Sequence, residues 1–178
     1  KVPAHSGYAF NEIADQSVQV YRIAANSENE VTTRGASIGI NYYISANTSL
    51  NGNYSYNKLN EKGTNDPIIP AYNTPKHKFN LGLLAKKINF SRFNAILRDY
   101  SIGINYKWID TFLYEGSPQF TGVIPKYDLL DIQISKDLPQ MNATIKIGST
   151  NILNNLHFEV YGGPFIGRMV FSSITFDI

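Results

Sequence analysis

The 178-residue chain contains no cysteine, which excludes disulfide scaffolds and cysteine-based zinc sites from the outset. Charge is scarce as well: 17% of residues are charged, against roughly a quarter in an ordinary soluble domain. The 16 basic and 14 acidic residues leave a net charge of only +2, so the chain carries no electrostatic footprint for nucleic acid. Long apolar runs are missing too. Stretches such as Leu83 to Ala85 fall far short of the about 20 residues that a spanning helix requires. The three histidines, His5, His77 and His157, are widely separated and show no HExxH spacing, and GGPFIG (162–167) is not a phosphate-cradling loop. No catalytic residue, metal ligand or cofactor site is therefore assigned.

What the chain does have is alternation. In YSIGINYKW (100–108), Tyr100, Ile102, Ile104, Tyr106 and Trp108 fall on one face of an extended strand, and Ser101, Gly103, Asn105 and Lys107 on the other. The pattern repeats. Ile38, Ile40, Tyr42 and Ile44 oppose Gly39, Asn41 and Tyr43, while Leu50, Gly52, Tyr54 and Tyr56 oppose Asn51, Asn53, Ser55 and Asn57. Further copies run through Phe79 to Ala85, Leu130 to Ile134, Ala143 to Ile147 and the C-terminal Ile174, Phe176 and Ile178. Glycine and β-branched residues inside these segments oppose helix. The reading is an all-β chain of seven or eight antiparallel strands.

Connections alternate in length. SANTS (45–49) and PQMN (139–142) are compact, and 89–98 is the third short connection. NEKGTNDPIIPAYNTP (60–75), LYEGSPQFTGVIP (113–125) and NNLHFEVYGGPFIG (154–167) are long loops. Short turns at one end and long loops at the other are the signature of an outer-membrane β-barrel, and they put the C-terminus in the periplasm. Aromatic spacing agrees with this. A strand tilted by about 40° advances roughly 2.5 Å per residue along the membrane normal, which separates Tyr100 from Trp108 by about 20 Å, near the height of the apolar band. Tyr42, Tyr56, Tyr100, Trp108 and Phe176 are the expected girdle aromatics, with rings in lipid and polar tips wet. The competing reading of the same alternation is a soluble β-sandwich, in which these rings would fill a core.

Several segments resemble the last strands of TonB-dependent outer-membrane receptors of the Bacteroidetes type. They are NTPKHKFNLGL (73–83), GVIPKYDLLDIQISKDLP (122–139), IKIGSTNILNN (145–155) and YGGPFIGRMVFSSITFDI (161–178), while EVTTRGASIGINYYI (30–44) resembles the strand of that family that precedes a short periplasmic turn. The resemblance implies a barrel of about 22 strands with a plug in its lumen. It also implies a nutrient importer rather than an enzyme, without a cofactor, in the outer membrane. The implied partners are the rest of the barrel and the plug, the TonB complex, outer-membrane lipids and a surface lipoprotein. The admissible cargo classes are siderophore, cobalamin, glycan and peptide.

On this reading residues 1–17 are the tail of an external loop and residues 18–178 the C-terminal strands, with 18–44 one long strand bulged near NSENE or a hairpin turning there. Seven or eight strands leave two sheet edges, and in hydrocarbon each unpaired backbone group costs several kcal/mol, so the remainder of a cylinder is expected. The inward face comprises Asn41, Asn51, Asn53, Ser55, Asn80, Asn105, Lys107, Asp131, Gln133 and Lys146, largely neutral hydrogen-bonding groups suited to a wet lumen or a plug surface. Tyr114, Phe120, Phe158 and Tyr161 are the loop aromatics expected to meet a ligand. Two alternatives stay open: a complete eight-stranded anchor or adhesin barrel, and an outer-membrane enzyme.

Overall fold

The computed structural model describes residues 30–62, 72–90, 98–116 and 120–176. Among the described residues nine strands form: β1 (Glu30–Ser45), β2 (Thr48–Lys62), β3 (His77–Ile88), β4 (Tyr100–Ile109), β5 (Phe112–Glu115), β6 (Thr121–Ile124), β7 (Tyr127–Leu138), β8 (Ala143–Thr150) and β9 (Met169–Phe176). Seven of them make one antiparallel sheet in the order β1-β2-β3-β4-β7-β8-β9, and β5 pairs only with β6. The choice between seven and eight strands turns on residues 18–29, which lie outside the described residues. The stretch around NSENE lies outside the described residues up to Glu30, as do residues 1–17, Asp177 and Ile178.

Short connections are built from local hydrogen bonds. At the β1–β2 turn the Asn47 amide donates to Ser45 Oγ at 3.2 Å, and the Lys86 amide of the neighbouring strand donates to the Asn47 carbonyl at 2.8 Å. The β7–β8 turn is a single 3₁₀ turn, Pro139–Met141, closed by Asn142 in the left-handed region at φ 45°, a conformation that asparagine tolerates. One expectation needs correction. LYEGSPQFTGVIP is not an open loop but holds the β5–β6 hairpin, with Phe112 opposite Ile124 and Tyr114 opposite Gly122. Four-residue strands give too few alternations to register as a period.

The sheet has almost no core. Among the described residues, only Ile109, Ile124 and Ala143 are buried hydrophobic side chains, whereas Ile38, Ile40 and Ile174 are 63%, 62% and 60% exposed. A chain of this length folding in water would bury most of its large apolar side chains. Here no second layer of described residues covers them, so the sandwich reading is lost.

Cross-strand register sorts the faces cleanly, because directly paired residues point the same way. One face carries the rows Ile38–Tyr54–Phe79–Trp108, Ile40–Gly52–Leu81–Tyr106–Leu130 and Tyr42–Leu50–Leu83–Ile104–Ile132. It continues with Ile134–Ile147 and Ile145–Ile174. Register also gives the slant of the strands to the aromatic lines. Tyr42 is level with Ile132 by hydrogen bonding, whereas Phe176, six strand steps across the sheet, is level with Leu138, six residues further along β7. Tyr56 and Trp108, two strand steps apart, are offset by two residues in the same direction. Both aromatic lines therefore step about one residue per strand. With about 3.3 Å per residue and about 4.8 Å between strands, this stagger tilts the strands by about 35°, inside the range of membrane barrels.

Candidate functional site

The second face is polar and low in relief. Asn41, Asn51, Gly82, Asn105 and Asp131 form one row, with Gly39, Asn53, Asn80 and Lys107 in the next. Ser55 lies opposite Ser37, Gln133 opposite Gly103, and Lys146 opposite Ser135. All ten residues that the sequence assigns inward thus share the face opposite the isoleucines. Asn80 Nδ2 donates to Asn53 Oδ1 at 2.9 Å, and Asp131 Oδ1 accepts the Asn151 amide at 2.8 Å. Asp131 thereby holds the end of β8.

Glycines set the relief of this face. A Cβ on Gly82 would lie 2.5 Å from the Asn51 side chain, one on Gly103 2.9 Å from Gln133, and one on Gly148 2.5 Å from the Phe171 ring. Each glycine lets a neighbouring side chain lie flat across the sheet, and together they leave a recess lined by Asn51, Asn105, Asp131, Gln133 and Phe171. The signal was available: glycine stands at the small positions of three separate alternating segments.

The five aromatics expected at a girdle, Tyr42, Tyr56, Tyr100, Trp108 and Phe176, all sit on the apolar face, in two lines. Trp108 stacks on Phe79 with centroids 5.7 Å apart. Lys136 Nζ lies 4.6 Å from the Tyr100 ring centroid, as a cation over an aromatic face at a border would.

At the long-loop end the loop aromatics Tyr114, Phe120, Phe158 and Tyr161 come together. The Tyr161 ring packs over Gly122 of β6, and the Phe120 ring packs over Gly162, whose φ of 79° needs a residue without Cβ. Phe158 meets Tyr161 edge-on at 6.2 Å and Phe165 at 5.4 Å, and Tyr114 lies opposite Gly122. Phe120 and Phe165 remain 52% and 67% exposed. A third loop is tied in, since the Asn73 side chain donates to the Glu115 carbonyl at 3.1 Å and accepts the Glu115 amide at 2.7 Å. Below the aromatics, buried Asn151 pins the β8–β9 loop, donating to the Asn155 carbonyl at 2.9 Å and accepting the Asn155 amide at 3.0 Å. Asn155 Nδ2 in turn donates to the Asp128 carbonyl at 2.9 Å, and His157 stacks on Tyr127 at 4.4 Å. Sequence reading did not single out this asparagine corner, because its hydrogen bonds depend on the fold.

A tilted antiparallel sheet with one naked apolar face, two aromatic borders and one polar face is the wall of an outer-membrane β-barrel. The family model described as TonB dependent receptor-like, beta-barrel matches residues 8–154, most of the 178, and the chain belongs to that family. No curated protein matches the chain. Family membership makes the protein a part of TonB-dependent transport in the outer membrane and not an enzyme, in a family associated with the TonB complex and a barrel-and-plug architecture.

Proposed function

We propose that the seven-stranded sheet is one arc of a plugged barrel of about 22 strands, and that it imports a scarce nutrient of the siderophore, cobalamin, glycan or peptide kind. The observation that carries this reading is the uncovered apolar face with its border aromatics. Among the described residues no strand pairs with the outer sides of β1 and β9, which supports the larger cylinder, since open edges in hydrocarbon are costly. A small closed barrel would need bulky side chains to fill its interior, and the glycine and asparagine rows offer little bulk. The long-loop end is external in this reading and the C-terminus periplasmic. Tyr114, Phe120, Phe158 and Tyr161 make first contact with the nutrient. The plug seats against the polar rows from Asn41 to Asp131, and residues 1–17 belong to an external loop.

Energised uptake tests the proposal. Cells expressing the intact receptor are offered one compound from each of the four classes, with TonB present or deleted. Accumulation of one class that needs both receptor and TonB is expected. Accumulation that persists without either defeats it.

A further inference from the structure

The apolar face carries an unexpected basic cluster at its long-loop border. Arg34 on β1 and Lys58 on β2 are directly paired in register, both exposed, although like charges opposite each other destabilise a sheet. Lys76 Nζ lies 6.0 Å from the Tyr56 ring centroid, and the His77 ring lies 5.3 Å from the same ring. His77 Nδ1 is joined to Tyr54 Oη by a 2.6 Å hydrogen bond. Among the described residues no carboxylate forms an ion pair with Arg34, Lys58 or Lys76. The Arg34–Lys58 pair thus stands two residues beyond Tyr56 along β2, and Lys76 reaches the Tyr56 ring beside it, at the border of the apolar face.

A second observation points to the same occupant. Beneath the cluster, on the same face, a shallow groove is lined by Ile38, Ile40, Leu50, Tyr54, Phe79 and Leu81, with Gly52 as its floor. Packing does not demand that glycine. A Cβ there would stand 3.5 Å from Leu81 Cδ1 and 3.6 Å from the Asn80 carbonyl, ordinary contact distances. From Gly52 to Lys58 the strand runs roughly 20 Å at about 3.4 Å per residue, enough to carry a lipid from headgroup depth to near the middle of a core about 30 Å thick.

We propose that the outer surface of β1–β3 holds one anionic, phosphate-bearing lipid, with its phosphate between Arg34, Lys58 and Lys76 and an acyl chain in the groove over Gly52. This rests on the membrane reading of the apolar face. Phosphate accepts several charge-assisted hydrogen bonds at once, from Arg34 as a fork and from the lysines as point charges. Its negative charge removes the repulsion between the Arg34 and Lys58 pair, and Tyr56 supplies an apolar edge with a wet tip at the same depth.

The test uses the intact receptor, purified in detergent and incubated with bis-phosphorylated lipid A or with the same lipid after dephosphorylation, bound lipid being counted by native mass spectrometry. The wild type is expected to retain the phosphorylated form at least fivefold over the dephosphorylated one. Arg34→Gln with Lys58→Gln should lower retention about tenfold, and Gly52→Leu, which leaves every charge in place, at least threefold. Arg34→Lys with Lys58→Arg should retain lipid as wild type does, and heat-dependent gel mobility reports that each variant is folded. Equal retention of the two lipids, or equal retention by wild type, charge variant and groove variant, overturns the proposal. Displacement of the lipid by millimolar inorganic phosphate would mark a free-phosphate site and overturn it too. A receptor that stays monodisperse without detergent and holds no lipid of either kind would remove the membrane reading itself.

Discussion

Lysine at mid-height of the apolar face separates a membrane wall from a sheet in water. With a stagger of about one residue per strand, Ile38 on β1 and Ile147 on β8 fall at the height of Ile104, midway between Tyr100 and Trp108. Ile38 and Ile147 are 63% and 58% exposed. Were that surface wet, Ile38→Lys and Ile147→Lys would change stability by no more than about 0.5 kcal/mol, as exposed substitutions do. Against hydrocarbon, lysine at the midplane costs roughly 2–4 kcal/mol. The gap of about 3 kcal/mol is a factor of about 10² in the folding constant. Ser37→Lys, one residue from Ile38 on the polar face, should cost under about 1 kcal/mol. The assay is urea unfolding of the intact receptor in lipid vesicles, followed by fluorescence. Losses below about 0.5 kcal/mol at both isoleucines would refute the assignment of this face to lipid.

Three further outcomes are expected. Gly148→Val drives a side chain into Phe171 and toward the Ile132 carbonyl, and should cost about 1–3 kcal/mol by overpacking; adding Phe171→Ala should recover part of the loss in the same unfolding assay. Asn151→Ala breaks the paired bonds to Asn155 in a buried site, and should destabilise the β8–β9 loop by about 1–3 kcal/mol. Limited proteolysis should then cut within 151–168 several-fold faster while the strands stay intact. Gly122→Val displaces the Tyr161 ring; nutrient capture in the uptake assay should fall at least fivefold, with the folded fraction unchanged by gel mobility.

The sheet was legible because its environment imposes a simple rule. One face touches an apolar medium and the other does not, so Ile38 to Ile44, Leu50 to Tyr56 and Tyr100 to Trp108 write period two into the sequence. The ten polar residues from Asn41 to Lys146 were placed on one face by the same periodicity. Loop architecture was less legible. The β5–β6 hairpin is short, and its seat is Tyr161 against Gly122, a contact between residues 39 positions apart. Asn151 and Asn155 look like ordinary turn residues until the loop closes on Asp128. The Arg34–Lys58 pair is equally silent in sequence, because only the register across the β1–β2 hairpin sets the two charges face to face.

The most direct measurement follows lipid contact residue by residue along β1. The sequence has no native thiol, so a single cysteine placed in turn from Ser37 to Tyr43 of the intact receptor can be labelled and its quenching by brominated lipid recorded. Strong quenching at 38, 40 and 42 with weak quenching at 37, 39, 41 and 43 is the predicted pattern. Uniform access to water-soluble quencher along the strand, or protection of the even positions from both lipid and water, would contradict a wall that faces the bilayer.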